Sequence, residues 1–258
     1  MPLADYESSE FEAEGTRRAV FRRGAGPAVI VIAEMPGITP TVVGFADRVV
    51  ALGCTAVLPH LFGTPGREPS GRYIASSFVP ACVSREFGAL ATGRTTPVST
   101  WLRALAASEH ERCGGPGVGA VGMCFTGGFA LGMAVDDRVL APVLSQPSLP
   151  LPLGAARKRD IALSPDDLAT VKARDDLCVL GLRFTNDRVV PAERFARLRQ
   201  ELGDSFVGVE IDSSPGNPHG IPTNAHSVLT EHLVDEPGHP TRDALDRVLD
   251  LFRERLLA

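Results

Sequence analysis

The chain has 258 residues, 44% hydrophobic and 22% charged, with a formal net charge of −5. These values exclude a disordered chain and allow a core large enough to need no disulfide staples. Its basic residues form no dense block, which argues against a nucleic-acid partner. Its cysteines (Cys54, Cys82, Cys113, Cys124 and Cys178) are odd in number and show neither CxxC nor zinc-type spacing, so a reducing cytoplasm and no metal are expected.

Asp5, Glu7, Glu10, Glu12 and Glu14 gather near the start and read as a solvated arm or an edge strand. The N-terminus lacks the pattern of a signal peptide. Arg17–Arg23 is expected as a strand with mixed faces. Ala28–Ala33 (AVIVIA) is continuous and β-branched, as a strand buried on both faces should be. It is also the longest apolar run and far too short to cross a bilayer, so no membrane is expected. A loop with Pro36, Gly37 and Pro40 leads into a helix over Thr41–Leu52. Val42, Phe45, Ala46 and Val49 share one face of it, and Gly53 ends it. Thr55–Leu58 is a short strand stopped by Pro59. Residues 60–95, rich in Gly, Ser, Pro and Arg, read as a long excursion with one helix around Phe78–Leu90.

Thr96-Pro97 opens a helix that carries Trp101, Leu102 and Leu105 and ends near Cys113. There follow a strand at Val118–Val121, a small-residue helix at Thr126–Val135 and a strand at Val139–Leu144. Ser164-Pro165 caps a helix that runs to Ala173. Leu177–Phe184 is a strand, Pro191–Leu202 a helix and Phe206–Ile211 a strand. Thr241–Leu257 is an amphipathic helix with Leu245, Val248, Leu249, Phe252 and Leu256 on one face. This alternation predicts an α/β fold, a mostly parallel central sheet with helices on both faces. No internal repeat or linker divides it, so one domain over 1–258 is expected.

The stretch Val118-Gly119-Ala120-Val121-Gly122-Met123-Cys124-Phe125-Thr126-Gly127-Gly128 runs a strand straight into a helix with no loop between. A nucleophile on so sharp a turn stands clear of the sheet, and its near neighbours must be small because strand and helix almost collide. The helix N-terminus favours a thiolate there. A buried structural cysteine in a tight turn fits the same stretch. Gly117–Gly122 also spells GxGxxG, but no strand precedes Gly117, so a dinucleotide site is rejected.

Gly122-Met-Cys124-Phe-Thr-Gly-Gly128 resembles the G-Y-C-x-G-G elbow of the dienelactone hydrolase family (carboxymethylenebutenolidases), within the α/β-hydrolase superfamily. Val29–Gly37 resembles that family's strand ending in a Glu and a Gly. Leu52–Phe62 resembles its segment A-x-x-G-Y-x-x-x-x-P-D-L-[FY]. The similarity runs from Ala28 to the end and is weakest over 63–95. It implies an α/β-hydrolase fold and a Cys-His-Asp triad, in the chain order nucleophile, acid, histidine.

Asp187, between the strand ending at Phe184 and Val189-Val190-Pro191, matches the family's acid; the rival Asp212 reads as a loop cap. Ala225-His226-Ser227-Val228 resembles the family's histidine segment, with His219-Gly220 as the alternative. His232 and His239 read as solvated. Glu34 matches a glutamate that governs the nucleophile's protonation. The backbone N–H groups of Met35 and Phe125 match its oxyanion donors.

The chain also departs from the family. An arginine that family members carry four residues after the triad histidine is Thr230 here, and His60 stands where an Asp is usual. Arg85 and His60 are therefore the candidate substrate-binding residues, with Arg72 and Arg94 as other arginines in reach. The resemblance implies hydrolysis of a small ester or lactone through a thioester acyl-enzyme, with no cofactor and a monomer or homodimer. A catalytically silent scaffold that binds a small ligand or a protein partner is the second reading. A thiol-redox role for Cys124 is a third, disfavoured by the lack of an evident resolving cysteine.

Overall fold

The structure is a computed structural model that describes residues 2–83, 93–149 and 153–258. Its centre is set by strands with no polar face. β1 (Glu7–Ala13) and β2 (Thr16–Arg23) come first in the chain. β3 (Ala28–Ile32), β4 (Thr55–Pro59), β5 (Val118–Met123) and β7 (Val179–Phe184) are buried at every position. β6 (Val139–Ser145) is buried at all but Leu140, whereas β8 (Phe206–Ile211) is partly exposed. Strands apolar on both faces can sit only inside a sheet covered on both sides. They do so in one eight-stranded sheet of order β1-β2-β4-β3-β5-β6-β7-β8. β1 and β2 pair antiparallel, as do β2 and β4, and every other neighbouring pair is parallel.

The acidic N-terminal segment forms the edge strand β1. Glu14 and Gly15 turn it into β2 with φ of 52° and 69°. Positive φ at both central residues gives a hairpin turn whose twist matches the strands. Exposed Glu7 and Glu10 on this edge discourage pairing with another chain.

The helices cover the sheet according to the two-residue period of the strands. Val29 and Val31 of β3 pack with α1 (Pro40–Ala51), through Val42, Phe45 and Val49. Leu245 and Val248 belong to the same cluster. Ile30 and Ile32 point the other way, against Trp101, Leu102 and Leu105. Those residues lie on α3 (Pro97–Cys113), which follows α2 (Gly71–Val83). Phe129 of α4 (Gly127–Met133) joins them. Past α5 (Gly154–Arg159) and α6 (Pro165–Lys172), Phe195 and Leu198 of α7 (Ala192–Leu202) extend that face over β6 and β7. Leu245 and Val248 sit on α8 (Pro240–Phe252), which ends in a π turn at Arg253–Leu257.

Two expectations shift. The helix expected around Phe78–Leu90 starts earlier, at Gly71, because Ser70 opens it. The Ser70 hydroxyl accepts the Tyr73 N–H at 3.3 Å and its carbonyl accepts the Ile74 N–H at 2.8 Å. Residues 84–90 of that expected helix lie outside the described residues. The short helix α5 gave no sequence signal because none of its residues is buried. Among the described residues, no helix is long and apolar enough to cross a membrane.

A charged cluster lies inside the sheet–helix layer. Arg22 of β2 donates to Glu109 of α3 at 2.7 Å, and Glu109, only 1% exposed, also accepts from the more exposed Arg112 at 2.8 Å. Removing one partner strands the other charge, whereas replacing both with apolar groups does not. Glu109→Ala is expected to lower unfolding stability by about 3 kcal/mol. The double variant Arg22→Met, Glu109→Leu should recover most of that loss in chemical denaturation. A double variant no more stable than the single one would refute this.

Candidate active site

β5 enters α4 through a single turn, Cys124–Thr126. Cys124 sits there with φ of 58°, a left-handed conformation that residues with a side chain adopt only under constraint. The constraint is close packing. A Cβ on Gly122 would collide with the Thr126 carbonyl, and one on Gly127 would lie 2.7 Å from Cβ of Pro147. The Thr126 hydroxyl accepts the Met123 N–H at 2.8 Å and shares its one proton between Met123 O at 2.7 Å and Ile32 O at 3.0 Å, bringing the ends of β5 and β3 together. Cys124 is thereby raised at the carboxyl edge of the sheet, where ligand sites of α/β folds form.

The loops after β7 and β8 bring an acid and a histidine beside it. Asp187 is buried, and its Oδ1 accepts the Val189 N–H at 3.0 Å. Its Oδ2 lies 2.6 Å from Nδ1 of His226. Nδ1 is thus occupied by Asp187, and Cys124 lies close enough to the same imidazole to act on its charge. Burial opposes charge on this imidazole. Attraction to Cys124, together with the bond and charge of Asp187, outweighs it and pushes the pKa up to about 11.

His219 lies elsewhere, edge-on to His239 at 5.4 Å. The two histidines expected to be solvated are both engaged. His232 Nδ1 accepts the N–H groups of His226 (3.4 Å) and Ser227 (3.3 Å), which closes the loop that carries His226. The His239 side chain caps α8 by accepting the Thr241 N–H. Asp212 accepts the Ser214 N–H at 2.9 Å, as a loop cap does.

Glu34 is 4% exposed and directs its carboxylate at the histidine loop. Ser227 donates to Oε2 at 2.6 Å, and Thr230 donates to Oε1. Gln146, fully buried after β6, donates to Oε2 at 3.1 Å and accepts the Val228 N–H at 3.2 Å. Burial raises the Glu34 pKa above its ordinary range, more than these bonds and the nearby His226 lower it.

Ser148 completes the surroundings of the sulfur. Its Oγ lies 3.1 Å from Cys124 Sγ and its N–H donates to Cys124 O at 3.0 Å. Met35, Phe62 and Cys124 pack against the cluster that holds Phe125 and Phe129, so the described wall on that side is apolar. Among the described residues the Met35 N–H is not taken up by its turn, whose bond runs from Gly37 N to Glu34 O at 2.8 Å. A cleft of about 340 Å³ opens beside the Asp187–His226 pair, lined by Asn186, Arg188, Val189, Thr223 and Asn224.

His60 turns its Nε2 to the Gly63 carbonyl at 3.0 Å. Arg72 and Arg94 are exposed, and Arg85 lies outside the described residues. Gln146 and Ser148 carry no motif of their own. Their only signal in the sequence is the polar Ser-Gln-Pro-Ser that ends a buried strand at the carboxyl edge of the sheet.

Glu34 has a measurable signature in stability. Its folded pKa is raised, so between the unfolded and folded values the folded protein holds a proton that the unfolded chain has released. Stability from this group is therefore greatest at low pH and falls as pH climbs through that interval. Glu34→Gln should flatten this slope and gain stability relative to wild type as pH rises. Parallel pH–stability curves for the two proteins would contradict the assignment.

Residues 18–256 match the sequence pattern described as "Dienelactone hydrolase family". No curated protein matches the chain. Among solved structures, "m3DLH" superposes with a TM-score of 0.63 at 19% identity, covering 97% of this chain and 98% of the other. A dienelactone hydrolase-like promiscuous phosphotriesterase from metagenomic libraries gives 0.60 at 18% identity, covering 97% and 98%. An esterase of Pyrococcus furiosus gives 0.61 at 11% identity, covering 97% and 92%. At such identities the structural likeness shows the α/β-hydrolase fold, and the family match carries the assignment further: the chain belongs to the dienelactone hydrolase family and is a hydrolase.

Proposed function

We propose that the protein hydrolyses a small ester or lactone, with Cys124 as nucleophile, His226 as proton carrier and Asp187 as its orienting acid. One observation carries this reading: Asp187 holds His226 at 2.6 Å through Nδ1, and the imidazole so oriented lies beside Cys124, itself raised on a strained turn. A triad is recognised by such roles and geometry.

In this mechanism the Cys124 thiolate attacks the carbonyl carbon, and the carbonyl electrons move to an oxyanion held by the N–H groups of Met35 and Phe125. Collapse breaks the carbon–oxygen bond. The leaving alkoxide takes the proton from Nε2 of His226, giving an alcohol and a thioester. Water then adds to the thioester as His226 accepts its proton, and the thiolate leaves with release of the acid. A lactone follows the same steps, its alkoxide remaining tethered to the acyl group. Glu34 acts on this chemistry through Ser227 and Thr230, by holding the loop of His226. The apolar wall of Met35, Phe62 and Phe125 suits a short acyl or ring substrate. Unpaired Cys54, Cys113 and Cys178 suit a reducing compartment such as the cytoplasm.

Wild-type protein is expected to turn over a short-chain p-nitrophenyl ester, and Cys124→Ala to lose that activity. Activity that survives in Cys124→Ala would overturn the proposal. Absence of turnover in wild type across esters and lactones would favour a binding scaffold.

Asp187→Asn tests the orienting acid. It should lower kcat/KM by roughly 10³-fold or more, the scale of comparable triads. With an alkyl ester, whose leaving group needs the His226 proton, activity should fall at alkaline pH as that proton is lost. Asp187→Asn should move this limb to lower pH, because Asp187 helps hold the His226 pKa up. An unmoved limb would count against the role of Asp187.

A further inference from the structure

Ser148 is placed against the reacting sulfur by a chain of independent restraints. The strand β6 leads into Gln146, which takes φ of 37° and donates its N–H to Leu182 O at 2.7 Å. Its side chain is locked by Glu34, Ser145 and Val228. Next comes Pro147, whose ring closes on Gly127 of α4 and whose carbonyl accepts Arg194 Nη1 at 2.7 Å. Arg194 is 2% exposed and also donates to the carbonyls of Asp160 (2.7 Å) and Arg157 (3.0 Å). Ser148 then meets Cys124 twice, through its N–H at the Cys124 carbonyl and through Oγ at Sγ, 3.1 Å away. A buried hydroxyl is fixed in this way with its oxygen against the sulfur of Cys124.

We infer that Ser148 is a catalytic residue that donates its O–H to the Cys124 thiolate and, with His226, sets how much of the sulfur is ionised. This deepens the reading of Cys124 as nucleophile and rests on it. The contact is a hydrogen bond only, and no covalent bond forms or breaks at Ser148. Hydrogen bonds to a charged acceptor are the strong ones, and a thiolate that accepts from Ser148 beside the His226 imidazole is more populated than one facing the imidazole alone. As acylation proceeds the sulfur loses its charge and the bond weakens. When the thioester is hydrolysed the bond strengthens again around the departing thiolate, so Ser148 favours deacylation as well as the resting nucleophile.

The charged and titratable groups around the sulfur are few among the described residues. His226 faces it from the segment after β8, with Asp187 and Arg188 behind from the loop after β7. Glu34, after β3, reaches this region through Ser227. Gln146 and Ser148 give the loop after β6 no described charge there, so the hydroxyl can be removed without disturbing an ion pair.

The test is the pH dependence of iodoacetamide alkylation of Cys124 in the full-length protein, read from the mass of the Cys124 peptide, for wild type, Ser148→Ala and Ser148→Thr. Ser148→Ala should move the alkylation profile up by about one pH unit, cutting the rate on its acidic limb roughly tenfold. Ser148→Thr, which keeps the hydroxyl, should restore the wild-type profile. A Ser148→Ala profile that coincides with wild type overturns the inference, as does a Ser148→Thr profile that matches Ser148→Ala. Thermal melts of both variants separate a sulfur effect from lost folding. The alkylation readout needs no turnover, so it stands apart from the Cys124→Ala activity assay that tests the hydrolase reading itself.

Discussion

The rest of the site depends on the passage from β5 into α4 at Cys124. A side-chain-bearing residue at φ of 58° is costly, about 1–3 kcal/mol, and persists only where its surroundings leave it no alternative. Three features remove the alternatives. Gly122 and Gly127 let the strand end and helix start approach within a distance that any Cβ would forbid. Thr126 fastens the turn to β3 through Ile32 O. Pro147 presses on the turn from the β6 loop. The strain has a chemical use, since it lifts the sulfur above the strand ends and toward the loops that carry its partners.

Those loops come from β3, β6, β7 and β8, and buried polar groups rather than apolar packing hold them together. Glu34 joins the β3 loop to the segment after β8 through Ser227 and Thr230, and Gln146 joins both to β6. Arg194 braces the β6 loop to the 157–160 segment through backbone carbonyls. Burial lowers its pKa to about 10, which still leaves it charged at neutral pH. A planar guanidinium can bond several carbonyls in fixed directions, which a lysine cannot do. A buried network whose members are bonded gives a rigid arrangement, because each shift would leave a polar group unpaired. That rigidity keeps Asp187, His226 and Ser148 in register around one sulfur.

Much of this was legible in the sequence. The central strands could be read because uninterrupted β-branched runs such as Ala28–Ile32 have no other stable home, and the elbow because its glycines leave room for nothing else. Glu34, Asp187 and His226 stand out by motif and by position after strands, and the fold brings Asp187 against His226 and Glu34 against the histidine loop. The edge strand β1 was ambiguous because an edge is polar whether it is a strand or an arm. α2 was placed too late because its N-terminal signal is a lone Ser70 within a Gly- and Pro-rich stretch. Ser148 and Gln146 escaped because their roles arise from contacts across the fold: Ser148 touches a residue 24 positions away, and Glu34 is bonded to Ser227 across 193. No local period encodes such a meeting.

Whether the sulfur of Cys124 carries the acyl group is tested directly by acid-quenching the protein during turnover of a p-nitrophenyl ester, followed by peptide mass spectrometry. The expected result is a mass increase equal to the acyl group on the Cys124 peptide, removed by neutral hydroxylamine as a thioester should be. Turnover with the acyl group on another residue, or with the Cys124 peptide unmodified through a burst of p-nitrophenol release, would contradict it.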